Sequence, residues 1–142
     1  MIVFVAVDNR NGMMFNHRRQ SQDKALRERV IELSKGKKLW MNQYSAKQFV
    51  QDKPLPTLQV DNMPLDRAQP EDFCFAEDLR LAPYERKIEK IVLFRWNRKY
   101  PADFFFDLDL RNGWLLETAR DFAGRSHEKI TEEVYKNENC EK

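Results

Sequence analysis

The chain has 142 residues, enough for one domain with a sizeable core. Its 25 Lys and Arg against 23 Asp and Glu leave a net charge of +2, which argues against the one-signed face of a general nucleic-acid binder. The apolar runs fall far short of the ~20 residues of a membrane span. The opening MIVFVAV has neither a basic lead-in nor a small-residue cleavage site, so no signal peptide is expected. Cys74 and Cys140 are too far apart in sequence to suggest a disulfide framework, and a reducing cytoplasm is the expected compartment. One domain over residues 1–142 is expected, with a Pro-rich irregular segment at 50–72 and a polar tail at 137–142.

Residues 2–7, IVFVAV, are a continuous β-branched and aromatic run, the pattern of a strand covered on both faces. SQDKALRERVIEL (21–33) predicts a helix, because Leu26, Val30 and Leu33 recur at i, i+4 and i+7. Ser21 is its expected N-cap and Gly36 its terminator. KKLWM (37–41) predicts a short strand and SAKQFV (45–50) a short helix capped by Ser45, so the chain opens as an α/β protein. Pro54, Pro56, Pro64 and Pro70 then impose mostly irregular chain, interrupted by a brief strand at TLQV (57–60). FCFA (73–76) reads as a strand, DLRLAPYERKI (78–88) as a broken helix and KIVLFRW (90–96) as a strong strand. DFFFDLDL (103–110) reads as another strand and GWLLETARDF (113–122) as an edge strand. In SHEKITEEVYK (126–136) the spacing of Ile130 and Val134 favours a helix, while the Ile, Thr, Val and Tyr content favours a strand.

In order and spacing these landmarks resemble the dihydrofolate reductase family over most of the chain. AVDNRNGMM (6–14) resembles its first strand and mobile active-site loop, with Gly12-Met13 at the loop's Gly-Met. QSQDKALRERV resembles the helix that begins with the catalytic carboxylate and sets Asp23 on that position. GKKLWMNQYSAKQF is similar to the strand ending in Met-Gly-Arg and the helix after it, and KPLP (53–56) to an Arg-Pro-Leu-Pro turn. FCFAEDLRLAPYERKIEKIVLF resembles the family's strand, glycine motif, helix and central strand. YPADFFFDLDL and NGWLLE resemble the Gly/Ala-Asp-x-x-Phe-Pro segment and the tryptophan that follows. The resemblance turns the ambiguous ending toward strand. It implies an α/β fold with a mixed, mostly parallel central sheet and flanking helices, reduced in its cofactor-binding half between KPLP and FCF.

The family's chemistry needs NADPH, whose phosphates call for bare glycine backbone and helix N-termini. Here Ala76-Glu77-Asp78 replaces the glycine pair, and Asn42-Gln43 replaces a Gly-Arg. The arginine implied for the substrate's carboxylate aligns with Leu58, and a threonine that orders the catalytic carboxylate falls near Phe94. No cofactor is therefore expected. The expected function is a small, non-catalytic protein that binds a small molecule or protein partner near Asp23, Met13, Met14, Phe15, Tyr44 and Arg18. The alternative is a divergent reductase, or another small-heterocycle enzyme, with Asp23 as proton donor. A homodimer that covers an open sheet edge is a third possibility.

Each candidate also has a plainer reading. Asp23 suits the first turn of a helix through the dipole alone. Met13, Met14 and Phe15 can line a pocket, plug one that lost its substrate, or meet a second copy. Arg18, within NHRRQ, is an anion anchor or part of a solvated loop. RWNRKY (95–100) mixes cations and aromatics that could stack on single-stranded nucleic acid, yet it also marks a strand end, and nucleic acid is not an expected partner. His127 beside Ser126 reads as a hydrogen-bonded structural residue. Asp107 and Asp109 are expected on one strand face, solvated rather than holding Mg²⁺. A zinc ribonuclease needs an HxHxDH cluster and further histidines; with only His17 and His127 that activity is rejected.

Overall fold

A computed structural model describes residues 1–50 and 54–141. Residues 51–53 of the Pro-rich segment, including Lys53 of KPLP, and Lys142 of the tail lie outside them. The elements in chain order are β1 (Ile2–Val7), β2 (Gly12–Phe15), β3 (Arg18–Arg19), α1 (Lys24–Leu33), β4 (Leu39–Met41), α2 (Gln43–Phe49) and β5 (Leu58–Val60). They continue with α3 (Pro64–Arg67), β6 (Phe73–Phe75), a 3₁₀ turn at Ala82–Lys87, β7 (Lys90–Arg95), β8 (Phe104–Phe105), β9 (Trp114–Phe122) and β10 (Ile130–Asn137).

Seven strands form one sheet in the order β5-β4-β6-β1-β7-β10-β9. The first five run parallel, β10 adds antiparallel to β7, and β9 adds antiparallel to β10. This is the mixed, mostly parallel sheet with flanking helices expected from the sequence. β1 sits between β6 and β7, which explains its unbroken apolar run: Val3, Val5 and Val7 enter one core cluster and Phe4 the other. The second cluster is closed by Leu26 and Val30 of α1 and by Ala46 and Phe49 of α2. Arg29 of α1 clamps the helix to β10 through both carboxylate oxygens of Glu132, at 2.6 and 3.1 Å. Met13 and Met14 of β2, Leu65 of α3, and Leu81, Ile88 and Phe106 close the first cluster.

Several local expectations are corrected. The N-cap of α1 is Asp23, not Ser21, because the carboxylate accepts from Ala25 N at 2.8 Å. The cap of α2 is Asn42, whose side chain accepts from Ser45 N, so Ser45 lies inside the helix rather than at its start. DFFFDLDL yields only the two-residue β8, and Asp107 and Asp109 do not share a strand face. Asp107 caps the chain before the 3₁₀ turn, accepting from Leu81 N and Ala82 N, while Asp109 pairs with Arg111. The ending is strand, and β9 is the sheet edge as expected.

A hairpin was not legible in NGMMFNHRR. β2 and β3 pair antiparallel around Asn16 and His17, both with left-handed φ (52° and 61°), the geometry of a two-residue type I′ turn. With β8 they form a small second sheet of order β3-β2-β8.

Candidate functional site

Asp23 and the β9–β10 loop form the first polar cluster. As the cap of α1, Asp23 points its carboxylate away from the helix into residues 124–127, and it is 2% exposed. It accepts from Arg125 N (3.0 Å to each oxygen), Ser126 N (2.9 Å), His127 N (3.1 Å), Ser126 Oγ (3.1 Å) and His127 Nδ1 (3.0 Å). Burial alone pushes this carboxyl up. The N–H donors of Arg125, Ser126 and Ala25, together with the His127 ring, outweigh burial and hold it well below the usual aspartate range. A general acid at neutral pH needs the opposite shift. Gly124 permits the approach, since a Cβ there would lie 2.6 Å from both Asp23 Oδ2 and His127 O.

The His127 ring is 4% exposed and stacks on Trp96, centroids 4.4 Å apart at 23°. Nδ1 faces the acceptor-only Asp23 carboxylate, and Ser21 Oγ (2.9 Å) and Tyr100 OH (3.1 Å) converge on Nε2. Three segments distant in sequence meet here: the chain that opens α1 (Ser21, Asp23), the chain at and after the end of β7 (Trp96, Tyr100) and the β9–β10 loop.

The second cluster lies where the resemblance implies pyrophosphate. Glu77, just after β6, accepts from Ser45 Oγ of α2 at 2.8 Å and from Arg19 Nε and Nη2 at 2.8 and 3.1 Å. Asp78 accepts from Asn42 Nδ2 at 2.8 Å. The Arg19 guanidinium lies 4.3 Å over the Tyr44 ring and donates to Tyr44 O, while Arg19 N donates to Tyr44 OH. The start of α2 is thus occupied by the protein's own carboxylates, with Glu77 paired to the protein's own Arg19 and Asp78 to Asn42. The residues present do not fit a dinucleotide phosphate.

The two positions that the resemblance links to folate, Leu58 and Phe94, are core-packing residues. Phe94 and Phe4 are fully buried and stacked at 6.1 Å, and Leu58 packs against the same cluster.

A third feature is an open cavity of about 500 Å³ beneath the β2–β3 hairpin, walled by Arg10, Phe15, Lys99, Tyr100, Pro101 and Phe105. Phe15 and Phe105 are about half exposed. Asp8 also borders it, but its buried carboxylate is already shared by Arg10 N, Gly12 N, Gln20 Nε2 and Tyr100 N. Burial pushes that carboxyl up, and these donors together hold it below its ordinary value. A larger cleft of about 690 Å³ near β7 and β10 is walled by charged groups already paired, such as Arg95 with Glu133 and Arg111 with Asp109.

The expected contact residues are therefore not gathered in one place. Asp23 opens the helix that covers one face of the sheet, while Met13 and Met14 are buried in the opposite core cluster with Tyr44 against them. Phe15 lines the open cavity, and Arg18 is exposed on β3. Arg19, not Arg18, turns inward; hairpin register decides this, pairing Phe15 with Arg18 and Met14 with Arg19. Ser21 and Asp8 were missed as site residues, since neither carries a sequence signal beyond a turn or cap. Among the described residues no group of three or more His, Cys, Asp or Glu is arranged to hold a metal ion, and no helix is long and apolar enough to cross a membrane.

No protein-family model matches the chain, and no curated protein matches it. Among solved structures, the fold is similar to dihydrofolate reductase from Enterococcus faecalis, complexed with NADP(H) and RAB-propyl. The TM-score is 0.64 over 95% of this chain and 94% of that one, with 10% sequence identity. The protein has a dihydrofolate-reductase-like fold; at this identity the likeness concerns architecture alone.

Proposed function

We propose that this chain is a dihydrofolate-reductase-like domain that no longer reduces dihydrofolate, and that it acts as a small-molecule-binding protein. The observation that carries the reading is the Glu77–Arg19–Ser45 cluster at the start of α2. A phosphate brought to about 4 Å from the neighbouring Asp78 carboxylate, which accepts from the neutral Asn42 amide, meets a repulsion of about 4 kcal/mol at an effective dielectric of 20. That corresponds to about a thousandfold in affinity. It would also have to displace a bidentate ion pair. The ligand site is the cavity under the hairpin: Phe15 and Phe105 offer apolar contact, and Arg10 and Lys99 offer positive charge, which suits a small aromatic or apolar anion.

Titration with NADPH and with dihydrofolate, followed by fluorescence of Trp40, Trp96 and Trp114, tests the first half. No saturable change up to about 100 μM and no loss of NADPH absorbance are expected; micromolar NADPH binding or steady hydride transfer refutes it.

The open edge supports a second role. β9 exposes Leu115 (52%) and Leu116 (48%) and leaves one side of a nine-residue strand unpaired among the described residues. Pairing of β9 with a second copy would cover it, and sedimentation showing only monomer at tens of micromolar would remove this role.

A further inference from the structure

Ser21, His127 and Asp23 stand in the order nucleophile, base and orienting carboxylate. Ser21 Oγ is 2.9 Å from His127 Nε2, and His127 Nδ1 is 3.0 Å from Asp23 Oδ2. These are the contacts by which an imidazole takes a serine proton while a buried carboxylate holds its tautomer. The Asp23 carboxylate faces Nδ1, which turns Nε2 toward the Ser21 and Tyr100 hydroxyls. Trp96 holds the ring against rotation. Ser21 and Tyr100 are half-buried while the ring is nearly inaccessible, so a substrate can meet the hydroxyls without bulk water flooding the base.

A histidine with a purely structural role needs one partner at each nitrogen. Here two hydroxyls converge on a nitrogen with a single lone pair, so one of them is always available to donate elsewhere. Tyr100 belongs both to this constellation and to the wall of the open cavity of about 500 Å³.

We propose that Ser21, His127 and Asp23 form a nucleophilic triad that hydrolyses small acyl esters, with Tyr100 donating to the oxyanion. Ser21 Oγ bonds to the acyl carbon as its proton passes to His127 Nε2, and the carbonyl oxygen becomes an oxyanion that Tyr100 OH hydrogen-bonds. The C–O bond to the leaving alcohol then breaks, and His127 returns the proton to that alcohol. Water attacks the acyl-Ser21 carbonyl, giving its proton to His127, and the proton returns to Ser21 Oγ as the free acid departs. The sum is ester plus water to acid plus alcohol. This activity is independent of the loss of dinucleotide binding, and neither stands or falls with the other.

Diisopropyl fluorophosphate with the full chain, followed by intact and peptide mass analysis, tests it. One adduct on Ser21 is expected, absent in Ser21→Ala, with turnover of p-nitrophenyl acetate lost in the same variant. His127→Gln should label at least about a hundredfold more slowly. Tyr100→Phe should lower ester turnover about a hundredfold. Ser21→Cys leaves the loop packing intact and carries an internal reference. At pH 6 its new thiol should react with iodoacetamide at least ten times faster than Cys140 in the same molecule. An unlabelled Ser21 at millimolar reagent, labelling unchanged in a folded His127→Gln, or equal reaction of the Ser21→Cys thiol and Cys140 each overturns the proposal.

Discussion

Replacing Asp23 by alanine removes the buried carboxylate that ties the start of α1 to the β9–β10 loop, and its cost can be worked from the contacts. The carboxylate takes six donors: four backbone N–H groups (Ala25, Arg125, Ser126, His127), Ser126 Oγ and His127 Nδ1. Loss of the helix cap costs about 1 kcal/mol. The two His127 donors are fully buried and become orphans, about 2 kcal/mol together after relaxation. Arg125 N and Ser126 N are only partly buried, so water replaces much of what they lose, about 1 kcal/mol more. The sum is about 4 kcal/mol, which for a domain of this size lowers the melting temperature by roughly 12–20 °C. Circular-dichroism melts at pH 7 read it directly, and a drop below about 4 °C would refute the clamp. The pH dependence supplies an independent check of sign. The folded carboxyl sits below its ordinary value of 3.8, so the native state binds fewer protons and the contribution is complete above that value. It is lost as the pH falls. The melting gap between wild type and Asp23→Asn should stay constant above about pH 5 and narrow steadily below pH 4. A gap that stays level down to pH 2 contradicts the assignment.

Three further outcomes follow from packing. Phe94→Ala, at a position with 0% exposure where Phe4 and Phe122 meet its ring, should cost about 3–5 kcal/mol by urea denaturation. Gly124→Ala sets a Cβ 2.6 Å from Asp23 Oδ2 and from a backbone oxygen, so it should destabilise by about 1–3 kcal/mol, and its effect should shrink in an Asp23→Ala background where one of those atoms is gone. Burial raises the Cys74 thiol to about 12, so iodoacetamide at pH 8 should modify Cys140 alone in the folded protein and both cysteines in urea.

The strands with dense β-branched or aromatic runs were legible because their pattern reflects burial: IVFVAV and KIVLFRW are the central β1 and β7, covered on both faces. GWLLETARDF is the edge β9, which needs only one neighbour and so tolerates polar residues on most of its length. Caps were less legible. Ser21, Asp23 and Ser45 are all competent cap residues, and which of them serves depends on where the first helical turn is pulled by tertiary packing. DFFFDLDL failed as a long strand because Asp107 is drawn off to the N–H groups of Leu81 and Ala82, ending the pairing after Phe105.

Of the first polar cluster, sequence singled out Asp23 as a site residue but not its partner Ser21, whereas the second cluster had a direct signal. Ala76-Glu77-Asp78 in place of glycines announces side chains where a phosphate would need bare backbone, because a Cβ and a charge are properties of the residue wherever the chain goes. That Arg19 turns in to meet Glu77, and that Ser21 and Asp23 meet His127 across more than a hundred residues, are decided by tertiary structure alone. Composition and periodicity say which faces leave water, whereas the partner of a single polar atom is set by hairpin register and by strand order in the sheet. The sequence by itself therefore determined the layers and the side chains that bar a phosphate, and only the folded chain decided which hydroxyl would lie beside the one buried imidazole.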